Sequence, residues 1–478
     1  TWNYGHKILN SYCIFMQVIM KVPEKDILEG NIVKVIFALG WPVMISTLLQ
    51  VGYNMADTFW LGRWSSASNS VSAVAAMQLS WPIIFIMISV GAGFSVAGIS
   101  LISQYTGANK IHKASESAGQ LLSTAVIMAI ILSFLGIFLA PLLVSIMGVE
   151  KTVATYTIDY MRIIFLGLPL GFISFIFMAV LRSYGDPVTP MIVDGIGVGL
   201  NIILDPILIN GYFIFPSLGV VGAALATVIT RSIASGIGIY ILFRGVGELK
   251  IKLGYLKIKL SYLKKIFRIG LPASGGQISA ALGFFILLWI IASLPNSTVA
   301  LAAYGIGDRI INLAFIIVDG IGMGMATVVG HSIGANKFER AQETFSIGLK
   351  MSFALLILET LAIIILRSQI VAFFIPESPE VIEEGSLFLL IFSMGIPFFG
   401  VFASVEGLYR GAGRTVPIMI MDIIRLWGFR VVFSFILGIL LGLGSLGVWI
   451  GMSVSNIAAA LVALMFYLSG SWRYRVID

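Results

Sequence analysis

The sequence predicts an all-α membrane protein: twelve transmembrane helices in two pseudo-symmetric six-helix bundles around a central cavity. Three observations lead there. Hydrophobic residues fill 58% of the 478 positions and charged ones only 11%, with a mean hydropathy of +1.01. A soluble chain of this length needs far more charge to cover its surface. The apolar residues come in runs of more than about 18, enough to cross roughly 30 Å of hydrocarbon as a helix. The short alternating segments of a β-barrel are absent. Finally, the second half of the chain repeats the first at a nearly constant offset.

Taken in order, residues 1–30 are an N-terminal cytosolic segment. The stretch "TWNYGHKILNSYCIFMQVIM" has no clean positive n-region and no small-residue cleavage site, so it is not read as a signal peptide. "MKVPEKDILEGNIVK" from Met20 is a more natural start. Residues 1–19 are therefore expected to be an upstream extension or a start-site artefact. Breaks where Gly, Pro and charge cluster place a first bundle at 31–243. Its spans fall near 35–62, 75–105, 118–147, 156–183, 190–212 and 219–243. A second bundle covers 266–470, with spans near 266–294, 304–333, 346–375, 384–410, 415–442 and 446–470. Residues 471–478 are a cytosolic tail.

Between the bundles lies a basic linker, 244–265, with Lys250, Lys252, Lys257, Lys259, Lys264 and Lys265. The positive-inside rule puts it in the cytosol, together with Lys110, Lys113, Arg182, Lys337, Arg340, Arg410 and Arg414. Glu377, Glu380, Glu383 and Glu384 fall on the opposite side. Both termini are then cytosolic and the chain is a multi-pass protein of the plasma membrane. This bias explains the pI of about 9.3 without nucleic acid. The single cysteine, Cys13, excludes a disulfide framework and a Cys-rich metal site.

The repeat is carried by four pairs of segments. "YTGANKIHKASE" from Tyr105 matches "SIGANKFERAQE" from Ser332, and "LGLPLGF" from Leu166 matches "MGIPFFG" from Met394. "LRSYGDPVTPMI" matches "LYRGAGRTVPIM", and "SLGVVGAAL" matches "SLGVWIGMS". Six spans return the chain to its starting side, so the copies share an orientation, as in transporters built of parallel repeats. "DGIGVG" at Asp194 and "DGIGMG" at Asp319 do not fit the offset; they are read as Gly-rich helix packing.

What one copy has and the other lacks points to a site. The counterpart of Asp57 falls near Phe285 or Leu287, that of Asp205 near Val432 and that of Asn201 near Gly428. An ionised carboxylate within a bilayer costs roughly 2.5–3.5 kcal/mol even on lenient scales. Ser46, Gln50, Tyr53, Asn54 and Asp57 recur at helical spacing on one face. Asp194, Asn201 and Asp205 form a second stripe, and Thr227 and Thr230 add hydroxyls. Pro206 frees a carbonyl near Ile202. Such hard oxygens suit a small cation; the carboxylates could equally exchange protons. The alternative for Asp57 is simple reach to the interface, and for Asp205 an interhelical hydrogen bond. In the second half Asp308, Asn312 and Asp319 make a further stripe, and Arg425 and Arg430 are expected to neutralise Asp422.

These residues resemble the multidrug and toxic compound extrusion family, MATE, from about Asn31 to Leu468. The marks are "YNMADTFWLGR", "LRSYGDPVTPM", "LYRGAGRTVPI" and the two "GANK" loops. "NIILDPILI" resembles the DinF-like branch. That resemblance implies cation coupling at Asp57, Asn201, Asp205 and Thr227, which are then the candidate Na⁺ ligands. It also implies a substrate cavity near Gln50, Tyr53, Asn54 and Asp194, and a conformational hinge at Pro42. A NorM-like Glu in the seventh span is missing from "GQISAALGFFILLW".

The expected activity is secondary active export: amphipathic, cationic compounds leave against Na⁺ or H⁺, through a monomer whose partners are substrate, coupling cation and membrane lipids. No cofactor is expected, and there is no GxxxxGK[ST] phosphate loop. A lipid-linked oligosaccharide flippase of the same superfamily is the alternative, but would need a strongly cationic cavity. A membrane-embedded enzyme is the further alternative; the chain offers only His6, His112 and His331 and no HExxH. A channel would not need the tandem arrangement.

Overall fold

The computed structural model describes residues 21–64, 67–147, 149–212 and 214–477; the expectation for residues 1–19 lies outside them. Among the described residues there are helices and no strands. Ten helices within the described residues are long and apolar enough to cross a membrane, and counting each of two bent helix pairs as one span brings the number to twelve. The bent pairs are the fourth span, Lys151–Leu166 with Leu168–Tyr184 at 50°, and the tenth, Pro379–Ser393 with Ile396–Ala412 at 47°. Both breaks fall in the paired segments "LGLPLGF" and "MGIPFFG". Pro169 and Pro397 enter their second helices at the first turn. The missing N–H is harmless to the helix that begins there, but it cannot continue the one before.

The repeat extends to backbone detail. Asn109 and Asn336 both adopt positive φ, 57° and 60°, the left-handed region that asparagine tolerates better than most residues. Lys110 N bonds Tyr105 O at 2.9 Å, and Lys337 N bonds Ser332 O at 2.7 Å. The helices before the fifth and eleventh spans both end on a left-handed glycine, Gly185 (φ 95°) and Gly413 (φ 71°). After Gly185, Asp186 caps the fifth span by accepting from Thr189 N at 3.0 Å and Thr189 Oγ1 at 2.6 Å. Burial pushes the Asp186 carboxyl above its usual range, and these hydrogen bonds pull it back.

Contacts divide the chain into two units that do not follow chain order. One is Ile45–Leu271 with the segment ending at Glu24; the other is Lys25–Met44 with Pro272–Asp478. The first span (Ile32–Leu61) and the seventh (Leu260–Ala292) therefore each change unit beside an internal proline, Pro42 or Pro272. The seventh-span helix begins at Leu260, inside the expected linker.

Within the second unit, Ile32 and Ile36 join a core with Ile321, Met325, Val329 and Phe402. The approach is close: a Cβ on Gly324 would stand 2.6 Å from Ile36 O, and one on Gly40 would stand 2.7 Å from Gly320 O. "DGIGMG" is thus a helix-packing surface. Its look-alike packs more loosely: a Cβ on Gly195 would stand 3.5 Å from Leu49 and one on Gly197 3.7 Å from Ala234, while one on Gly199 meets nothing within 4 Å. The core of the first unit groups Leu61, Ile84, Val144, Met161, Phe165 and Ile209.

The eleventh span (Thr415–Leu440) widens into π-helix at Ile424–Val431 and Ile436–Leu440. The sequence reading expected Arg425 and Arg430 to neutralise Asp422. Arg425 does approach it, at 3.5 Å. Arg430 instead donates to Ser455 Oγ at 3.2 Å and Asn456 Oδ1 at 2.6 Å.

Candidate functional site

The first span enters the site as an inside-out amphipathic helix. Gln50, Tyr53, Asn54 and Asp57 sit three or four residues apart and all line a cavity of about 440 Å³ within the first unit. The second span (Ala67–Gly107) adds Trp81 and Phe85. The two halves of the fourth add Tyr160, Phe172 and Phe175, and the sixth (Val220–Arg244) adds Thr227 and Arg231. Aromatic rings, aliphatic side chains and polar groups share the walls, with Thr58 and Gln78 among the polar ones, a mixed lining able to hold an amphipathic molecule.

Asp57 is 3% exposed, and Asn201 and Asp205 on the fifth span (Val188–Asn210) are fully buried. The carboxyls of Asp57 and Asp205 lie within hydrogen-bonding reach of each other. Asn201 Nδ2 donates to Asp205 Oδ1 at 3.2 Å, the contact expected of residues one turn apart. Asp57 Oδ1, Asp205 Oδ2 and Asn201 Oδ1 are buried without a hydrogen-bond donor. Two carboxylates are both acceptors, so their contact is a hydrogen bond only with a proton between them. Thr227 does not turn to the acids: its Oγ1 accepts from Tyr53 Oη at 2.6 Å.

Two of the expected residues fall elsewhere. Asp194 is not among the residues lining this cavity; Arg182 and Arg231 are its electrostatic neighbours. Ser46, on the same stripe as Asp57, is buried with its Oγ unpaired and also does not line it. Pro42 lies inside a continuous first helix.

Arg231 is the residue that sequence reading passed over. It lines the cavity, stands 5.7 Å from the centre of the Tyr53 ring and acts electrostatically on Asp57. Among the described residues it forms no ion pair with either acid. An isolated arginine midway along the sixth span, in "ATVITRSIASG", was the available signal, since such residues rarely face lipid.

The MatE family profile matches residues 42–207 and 272–436, two segments that both start on a proline. The chain belongs to the MatE family. Its members are transporters, so this protein is a transporter and not an enzyme. This MatE chain is 30% identical over 458 residues to the probable multidrug resistance protein NorM of Thermotoga maritima, spanning 95% of this chain and 96% of that protein. To the probable multidrug resistance protein YoeA of Bacillus subtilis it is 27% identical over 443 residues, 91% of this chain and 93% of the other. Among solved structures, the crystal structure of a MATE in complex with MaL6 superimposes with a TM-score of 0.87 at 25% identity, covering 94% of this chain and 98% of that one.

Proposed function

We propose that this protein is a multidrug exporter of the DinF-like branch, a monomer of the plasma membrane with cytosolic termini, driven by Na⁺ or H⁺ exchanged at Asp57 and Asp205. One observation carries the reading: two carboxyls buried against each other, with no ion pair to a base among the described residues, beside a cavity lined in part by aromatic rings. Like charges so placed repel strongly where the dielectric is low, and a proton or sodium ion relieves them. For sodium, the unpaired oxygens of Asp57, Asp205 and Asn201 form a compact set of hard donors. The seventh span carries no Asp or Glu, which favours coupling in the N-terminal half.

Competition makes the exchange. A substrate whose ammonium or aromatic cation neutralises Asp57 cannot remain once the coupling ion has done so. One cation entering down 100 mV supplies about 2.3 kcal/mol, enough for roughly 50-fold accumulation of a substrate with no net charge; one-for-one exchange with a monovalent cation is electroneutral and draws on the concentration gradient of the coupling ion. The similarity to two probable multidrug resistance proteins supports a broad substrate range. So do the walls: Trp81, Phe85, Phe172 and Phe175 offer stacking surfaces that fix little about shape. Arg231 beside Asp57 extends the range to molecules that carry both signs.

The test is efflux from proteoliposomes under separately imposed sodium and pH gradients. Asp57→Asn and Asp205→Asn are each expected to abolish the driven component while the protein still purifies as a folded monomer. Full transport by both variants would overturn the assignment.

A further inference from the structure

A second cavity, again of about 440 Å³, lies within the first unit and shares no lining residue with the substrate site. Its walls are Val126 and Ile127 of the third span (Ile111–Ile146), Ile173 of the fourth, and Ile239 and Phe243 of the sixth. The linker closes it with Leu256 and Ile258. Nothing ionisable faces it, so it selects no organic ion. The charge is at its rim: Lys257 sits between the two lining linker residues, and Lys252 precedes the short 3₁₀ turn Leu253–Leu256.

This rim is held in place. Gln120 Nε2 donates to Tyr255 O at 2.7 Å and Lys257 O at 2.5 Å, while Gln120 Oε1 accepts from Lys259 N at 2.7 Å. Lys259 pairs with Glu116, and Lys250 N donates to Ser115 Oγ at 3.1 Å. Lys252 and Lys257 are exposed and, among the described residues, form no ion pair. Interleaved with them, Leu253, Ile258 and Leu260 are 76%, 45% and 79% exposed. Exposed leucine alternating with free lysine beside a transmembrane groove is the pattern of a segment lying at an anionic membrane surface.

We propose that this groove and its rim bind an anionic glycerophospholipid, with one acyl chain against Val126, Ile239 and Phe243 and the headgroup phosphate at Lys252 and Lys257. The apolar walls match hydrocarbon, and the two lysines match a phosphate diester with no compensating positive charge. Phosphatidylcholine carries that charge and gains little from the rim.

Native mass spectrometry of the purified full chain, offered phosphatidylglycerol and phosphatidylcholine of the same acyl composition, tests this. The unaltered protein is expected to retain phosphatidylglycerol roughly 30-fold better, the effect of two lysines near an anionic group. Lys252→Gln combined with Lys257→Gln should erase that preference; both positions are exposed, so folding is not at stake. Val126→Trp, which fills the groove, should lose bound lipid of either headgroup while substrate binding in the other cavity persists. Equal retention of the two lipids by the unaltered protein overturns the proposal. So does phosphatidylglycerol held as tightly after Val126→Trp, or glycerol phosphate without acyl chains binding as well as the lipid.

Discussion

Tyr53 Oη donates to Thr227 Oγ1 at 2.6 Å, joining the first and sixth spans across 174 positions of sequence. Both residues are buried and both line the substrate cavity, so the bond fixes one wall of the site. Removing the donor is a milder change than removing the acceptor, because a phenol left buried and unpaired loses its solvation as well as its partner.

Tyr53→Phe is therefore expected to weaken substrate binding by about 2–12-fold, the range of one net hydrogen bond. Thr227→Ala should weaken it more, by about 5–100-fold. Fluorescence titration with an aromatic substrate checks the order; the reverse order would mean that the hydroxyl of Tyr53 bonds the substrate directly.

Asp57 and Asp205 act as one group if their carboxyls share an ion. The shift in substrate affinity caused by adding the coupling cation should vanish in Asp57→Asn and in Asp205→Asn alike. The double variant should show no further change, in the manner of strongly coupled sites. A residual shift in either single variant, removed only in the double, would show two separate ion sites.

Arg231→Met should divide substrates by charge. Compounds with a carboxylate are expected to bind about 10–100-fold more weakly, the worth of a charge-assisted hydrogen bond. Cations lacking a carboxylate should bind as before or better, since Asp57 loses its nearest competing positive charge. A zwitterionic piperazinyl quinolone and its cationic methyl ester, titrated side by side, give the comparison.

Gln120→Ala removes the partner of two linker carbonyls and one linker N–H at once. Trypsin cleavage at Lys257 should accelerate at least roughly tenfold, since each lost buried partner is worth about 1–3 kcal/mol of local stability. Gel-resolved digestion of the folded protein measures it.

Gly324→Ala places a methyl 2.6 Å from Ile36 O, a backbone atom that cannot swing away. A loss of about 1–3 kcal/mol is expected, read as a lower melting temperature in detergent. Gly199→Ala, with open space at the same kind of position, should cost nothing measurable and may serve as the control.

How far the sequence revealed the molecule depends on what each feature rests upon. Spans and repeat were legible because lipid demands long apolar runs and because "GANK" and the proline segments recur. Asp57, Asn201 and Asp205 stood out for the same reason: an acid in an apolar helix has no trivial explanation. Their meeting was suggested only by helical spacing and resemblance; the relative rotation of two helices is a tertiary fact. Tyr53 and Thr227 were each visible, but as a cavity residue and a cation-site hydroxyl respectively rather than as partners. Pro169 and Pro397 were read as repeat markers without the bends that they cause. The π-helical turns around Arg430 arise from a slip of backbone hydrogen bonds, which no side-chain pattern announces. The linker clasp escaped because its central residue, Gln120, belongs to an apolar span.

The exchange of half-helices at Pro42 and Pro272 has a practical meaning for anyone who would treat the duplication as two interchangeable parts. A gene cut in the linker yields a downstream fragment without Ile32 and Ile36, the residues that cover Ile321 and Met325 in this structure. Each unit of the present chain thus holds a half-helix that belongs by sequence to the other copy, so splitting the gene between the copies would part each unit from one of its own walls.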